Sequence, residues 1–167
     1  MNSRRLAYSA LFALIGVFIL QIIIYYPLLP LRVASHFDFQ GNAIGWTSKS
    51  NFITTMAFVI ALIVGVFLAI PVLLAKLPES INLPNKTYWL APERKETTIL
   101  VLGNYIIWMG TLTTLLLVMV LNIICNANIN HSAQLGMSVM IMLAVYMVIL
   151  FTFITFMIRR FVRIEQQ

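Results

Sequence analysis

Long apolar runs, rather than alternating patterns, organise this chain. Four of them occupy about residues 6–26, 52–75, 99–124 and 135–158. About 20 consecutive apolar residues suffice to cross the hydrocarbon of a bilayer, so each run predicts a spanning helix. From Thr97 to Ile158 there is no Asp, Glu, Lys or Arg. That stretch is too long for one span, and Cys125-Asn126-Ala127-Asn128-Ile129-Asn130-His131 predicts a turn within it, because asparagine tolerates unusual backbone angles and bonds its own main chain. The first run exceeds the apolar core usual for a cleaved signal peptide, which predicts a signal anchor. The expectation is an all-α fold: one domain over residues 1–167, built as an integral membrane four-helix bundle. A longer loop at 27–50 joins the first two spans, and a second loop at 76–98 joins the next two.

Composition supports the membrane reading. Hydrophobic residues make up 61% of the chain and charged residues 10%, against about 25% charged in soluble domains. The net charge of +6 does not point to nucleic acid, because the basic residues sit at the ends of apolar runs and form no stripe. Their placement orients the helices instead. Arg4, Arg5, Lys76, Lys86, Arg94, Lys95, Arg159, Arg160 and Arg163 fall on one side, and Arg32 and Lys49 on the other. Both termini and loop 76–98 are therefore expected in the cytoplasm, with loop 27–50 outward. Cys125 is the single cysteine, so there is no internal disulfide.

The spans contain no acidic or basic residue, which argues against a pump, an antiporter or a voltage sensor. Their polar residues, including Gln21, Asn104, Thr111, Thr113 and Asn122, are expected to hydrogen-bond between helices. A polar pocket around Asn104 for a lipid or peptide is the sharper alternative. Met137, Met140, Met142 and Met147 suit flexible apolar packing better than copper. His36, Asp38 and His131 lack a recognised ligand spacing. No metal, no cofactor and no catalytic residue are expected, and the chain is not expected to be an enzyme.

The two loops hold the denser chemistry. In the first, His36, Phe37, Asp38, Gly41, Gly45, Trp46 and Lys49 lie close together behind Pro27 and Pro30, and an ordered outward cap that meets a ligand is expected. Gly41 or Gly45 should take a positive φ, His36 should bond within the loop, and Trp46 should sit at the interface with its N–H bonded. In the second, Asn85, Tyr88, Trp89, Pro92, Glu93 and Arg94 form the candidate partner segment. Pro92 is expected to open the third span, with Glu93 and Glu96 near its positive end.

The order Leu29-Pro30, His36-Phe37, Gly41, Gly45-Trp46 and Ser48-Lys49, followed by Asn82-Leu83-Pro84-Asn85-Lys86-Thr87-Tyr88-Trp89-Leu90-Ala91-Pro92-Glu93, resembles the small membrane domain at the N-terminal end of Sdp-type toxin-immunity proteins. Two departures stand out. Ala34 replaces a proline common two residues before the histidine, and Ile44 replaces an acidic residue before Gly-Trp. The resemblance implies a multi-pass protein of a prokaryotic plasma membrane. It would protect against a membrane-active peptide toxin, or relay the presence of one to a cytoplasmic regulator. A small accessory subunit of a larger membrane complex and an interfacial enzyme acting on a lipid or small molecule are the alternatives.

Overall fold

A computed structural model describes residues 2–130, 132 and 134–163. In chain order it holds α1 (Asn2–Leu28), β1 (Arg32–Phe37), β2 (Ala43–Ser48), α2 (Lys49–Lys76), a 3-10 turn at Pro78–Ser80, α3 (Lys86–Trp89), α4 (Lys95–Ile129) and α5 (Met137–Val162). α1, α2, α4 and α5 are each long and apolar enough to cross a membrane, which makes this a multi-pass membrane protein.

The all-α expectation needs correction. Loop 27–50 contains an antiparallel hairpin, β1 with β2. Val33, Phe37, Ile44, Trp46 and Thr47 are strand-forming residues, and Asp38 to Asn42 supplies a turn between them. Long apolar spans on both sides mask so short a signal.

Two boundaries also move. α4 runs on to Ile129, so Cys125 to Asn128 are helical, and the expected turn begins only at Asn130. The asparagines do not break the helix because their amides bond carbonyls one turn back, Asn126 to Asn122 O at 2.9 Å and Asn128 to Ile124 O at 2.9 Å. His131, which belonged to the expected turn, lies outside the described residues. At its other end α4 begins at Lys95 rather than Pro92. Arg94 N–H donates to Ala91 O at 2.9 Å, closing a tight turn in which Pro92 occupies the second position that proline favours. Glu96 is left in the first helical turn and Glu93 outside it.

α4 is the shared element. α1 and α2 both pack along it, α5 touches it more sparingly, and α1 and α2 barely meet. The arrangement is open around α4 rather than a closed ring. Close approach of α2 depends on small residues, as at other membrane helix contacts. A Cβ at Gly110 would lie 2.6 Å from Phe67 Cβ, and one at Gly103 would lie 3.2 Å from Pro71. Polar groups tie the other helices to α4. Asn122 Nδ2 donates to Tyr25 Oη on α1 at 2.7 Å, Thr111 Oγ1 donates to Ala7 O at 3.3 Å, and Thr113 and Tyr146 of α5 share a bond of 2.8 Å. Such bonds contribute about 0.6 kcal/mol each on average, so they select the pairing more than they drive it.

The Gly110 contact gives a direct test. Gly110→Val should push Phe67 and α2 away and lower unfolding stability in detergent by about 2 kcal/mol, as overpacking does. Gly16→Val has open space around it and should be nearly neutral. Equal losses for the two would refute the close α2–α4 approach.

Candidate functional site

The hairpin sits at the end of the molecule where α1 and α4 finish and α2 and α5 begin. Its turn is built from Asp38 to Asn42. Gly41 N–H donates to Asp38 O at 3.0 Å, and Asp38 N–H to Asn42 O at 3.0 Å. Asp38 also accepts from Asn42 N–H at 2.7 Å and from the Asn42 amide at 3.1 Å. Gly41 has φ +84°, the positive value expected of it. A Cβ there would collide with Leu135 O, because Leu135 N–H donates to Gly41 O at 2.7 Å. That bond, with the pairing of Asn42 and Gln134, ties the hairpin tip to the segment leading into α5.

The ladder explains the other special residues. His36 stands opposite Gly45, and a Cβ on Gly45 would sit 3.2 Å from both Cβ and Nδ1 of His36. Glycine at 45 therefore makes room for the imidazole, whose Nδ1 bonds Ser35 Oγ at 3.0 Å. Phe37 turns inward and packs against the main core. Register shifts on both sides of His36 leave Ser35 and Ile44 as unmatched, bulged positions. Ile44, one of the two departures from the resembling pattern, is well exposed. Lys49 opens α2 with its ammonium 4.9 Å from the Tyr26 ring centroid and 3.5 Å from Tyr26 O, where a cation suits the C-terminal end of α1. Trp46 is half exposed. Its indole N–H makes no hydrogen bond to another described residue, which leaves it free for a headgroup or water.

The anchor of the hairpin was not foreseen. Ala34 N–H donates to Asn128 Oδ1 at 2.7 Å, and Asn128 Nδ2 donates to Ala34 O at 3.1 Å. Both residues are buried. The side-chain amide of α4 thus stands where one residue of a third strand would be. Ala34 spends its backbone groups on Asn128, so Ala34 and Trp46 form a non-hydrogen-bonded pair. Trp46 then turns its own N–H and C=O to the opposite, open edge of β2. An asparagine pair at the end of a long apolar helix was the available signal.

The segment at the other end is drawn inward. Trp89 Nε1 donates to Phe161 O at 2.7 Å, and Asn85 Nδ2 donates to Phe161 O at 3.3 Å and Val162 O at 2.9 Å. Together they satisfy carbonyls that the C-terminus of α5 leaves unpaired. Trp89 meets the Phe161 ring edge-on at 5.3 Å, and the Arg94 guanidinium lies 4.3 Å from the Tyr88 ring centroid. Asn85 has φ +54°, which asparagine tolerates. Asn85 and Trp89 therefore have a structural role, while Pro92 and Glu93 stay exposed. The structure does not bring this segment near the hairpin.

No three His, Cys, Asp or Glu side chains converge among the described residues, and His131 lies outside them.

The fold defines a membrane protein whose apolar helices carry an anchored β-hairpin at one end. Residues 12–61 match a domain of unknown function, DUF1648. The match runs from within α1 through the hairpin into α2. No curated protein and no solved structure matches the chain.

Two outcomes test the site's construction. Asn128→Leu leaves both Ala34 backbone groups unpaired in a buried place and should cost roughly 2–4 kcal/mol, with faster hydrogen exchange at Ala34 and Thr47. Unchanged exchange there would show that Asn128 is not the anchor. Acid should loosen the tip. Desolvation is the largest single influence on Asp38 and raises its pKa, but hydrogen bonds from the Asn42 side chain and from the backbone of Asn42, Gln40 and Gly41 together outweigh it and hold the carboxyl below 3.8. A lowered folded pKa contributes stability that is complete above the unfolded value and fades as pH falls through the folded one. Exchange at Asn42 N–H should therefore lose protection below about pH 4, and Asp38→Ala should remove that pH dependence.

Proposed function

We propose that the chain is a non-enzymatic membrane protein of the Sdp immunity or signalling type, and that its hairpin receives a membrane-active peptide. The observation that carries this reading is the asymmetry of the hairpin's edges. Asn128 occupies the β1 edge, whereas the β2 edge is open and lies beside exposed Ile44 and Trp46. An extended peptide adds to such an edge through main-chain hydrogen bonds, and side-chain pockets give it specificity. Leu31 and Phe39, 79% and 90% exposed, widen the apolar surface beside it. Such a surface suits a peptide that itself partitions into membranes.

In this reading the hairpin faces outward from the plasma membrane of a prokaryote and both termini are cytoplasmic, as the distribution of Lys and Arg favours. The exposed Pro92–Glu93 turn then offers a contact for a cytoplasmic regulator. A second reading rests on α5, whose most apolar window buries 0% of its residues. A helix so exposed also suits an accessory subunit that packs against a larger membrane complex.

Orientation is checked by labelling. In a Cys125→Ser background, Ser48→Cys should react with an impermeant thiol reagent from outside and Thr87→Cys should not; the reverse pattern would invert the topology. Function is checked by survival of cells exposed to a candidate membrane-active peptide. Gly45→Val and Trp46→Ala should lower protection at least about tenfold, a loss of about 1.4 kcal/mol of binding, while membrane insertion is unchanged. Full protection by both variants would sink the peptide-docking role. Stoichiometric partners retained through purification in mild detergent would favour the subunit reading.

A further inference from the structure

A cleft of about 960 Å³ opens at the end of the molecule opposite the hairpin, between the first turns of α1, the early part of α4 and the last turn of α5. It exists because α1 and α5 both pack on α4 without closing on each other. Three guanidinium groups, from Arg4, Arg5 and Arg160, line it, and no carboxylate does so among the described residues. Leu100, Val101 and Tyr105 of α4 give it an apolar wall.

The backbone that carries these charges is anchored at both ends of the cleft. Phe161, next to Arg160, is fixed by Trp89 and Asn85 at the end of α5. Arg4 lies 5.8 Å from the Tyr8 ring centroid. Ser3 Oγ accepts from Asn104 at 3.2 Å and from the Trp108 indole at 3.4 Å, which ties the start of α1 to α4. Asn104 Oδ1 is buried there without a donor among the described residues.

We propose that this cleft binds the headgroup of an acidic phospholipid. Phosphate oxygens accept charge-assisted bonds from guanidinium groups, which match them in a planar fork. A soluble phosphate would use the arginines alone. A diacyl lipid also uses the apolar wall of α4 and the sideways opening between two membrane helices, and basic pockets between such helices suit acidic headgroups.

The test is native mass spectrometry of the full chain, released from micelles containing phosphatidylglycerol and phosphatidylcholine in equal amounts. One phosphatidylglycerol should stay bound, and phosphatidylcholine should not. Arg160→Gln leaves the N-terminal arginines that orient α1 in place and should weaken retention about fivefold; adding Arg5→Gln should compound the loss to about thirtyfold, in line with the attraction of interfacial basic residues for acidic lipid. Ser9→Trp fills the cleft without altering charge and should also abolish retention. Arg32→Gln with Lys49→Gln, at the hairpin end, should have no effect. Helical content measured on each variant separates loss of the site from loss of the fold. Equal retention of both lipids would overturn the proposal, as would retention unchanged in Arg160→Gln and Ser9→Trp. Displacement of the bound lipid by about 10 mM inorganic phosphate would reassign the arginines to a free anion and overturn it likewise.

Discussion

The amide of Asn128 meeting the backbone of Ala34 is the contact on which the hairpin end of the molecule depends. A two-stranded hairpin alone is marginally stable in water. Here one edge is completed by a helix, through a side chain that has both a donor and an acceptor in the spacing of a peptide group. No apolar residue could do this, and an aspartate would supply only acceptors. Because Asn128 is rooted in α4, the strand inherits the rigidity of the longest helix in the chain.

That length matters. With 35 residues and a rise of about 1.5 Å per residue, α4 is about 50 Å long, against a hydrocarbon core of about 30 Å. It projects beyond the apolar layer, so polar side chains at its ends can work where water and headgroups are present. At one end Asn128 holds β1. At the other, Thr98 Oγ1 donates to Trp89 O at 2.8 Å and positions the segment that caps α5. The two ends are thus organised by the same helix, although they share no direct contact.

The four spans were legible because about 20 apolar residues in a row have few alternatives to a membrane helix. The ends of α4 were not. Asn126 and Asn128 read as turn formers, since the sequence does not reveal that their amides find helical carbonyls and a strand instead. Pro92 read as a helix start, when it is the corner of the preceding turn. Among the site residues, the clustering of His36, Gly41 and Gly45 did signal an ordered cap, and Gly41 carries the positive φ that its position requires. The strands themselves were missed. β1 shows two adjacent buried residues, Val33 and Ala34, so the period-two pattern that identifies a half-buried strand is broken by the contact with α4.

The special residues of the two loops fall into different physical classes. The Asn85 side-chain nitrogen and the Trp89 indole nitrogen are committed to the α5 terminus, which gives both residue types a structural role. Gly41, Gly45, Asp38 and Asn128 likewise serve the construction of the hairpin. What construction does not require is the exposure of Leu31, Phe39, Ile44 and Trp46 around that hairpin. Polar residues would fill the same backbone positions at lower cost in water, and edge strands are commonly blunted with charge to prevent unwanted pairing. Here the β2 edge is flanked by aromatic and aliphatic side chains on a rigid support. Rigidity reduces the ordering cost of binding, and the support that Asn128 gives β1 reaches the apolar, unguarded edge of β2 through the ladder.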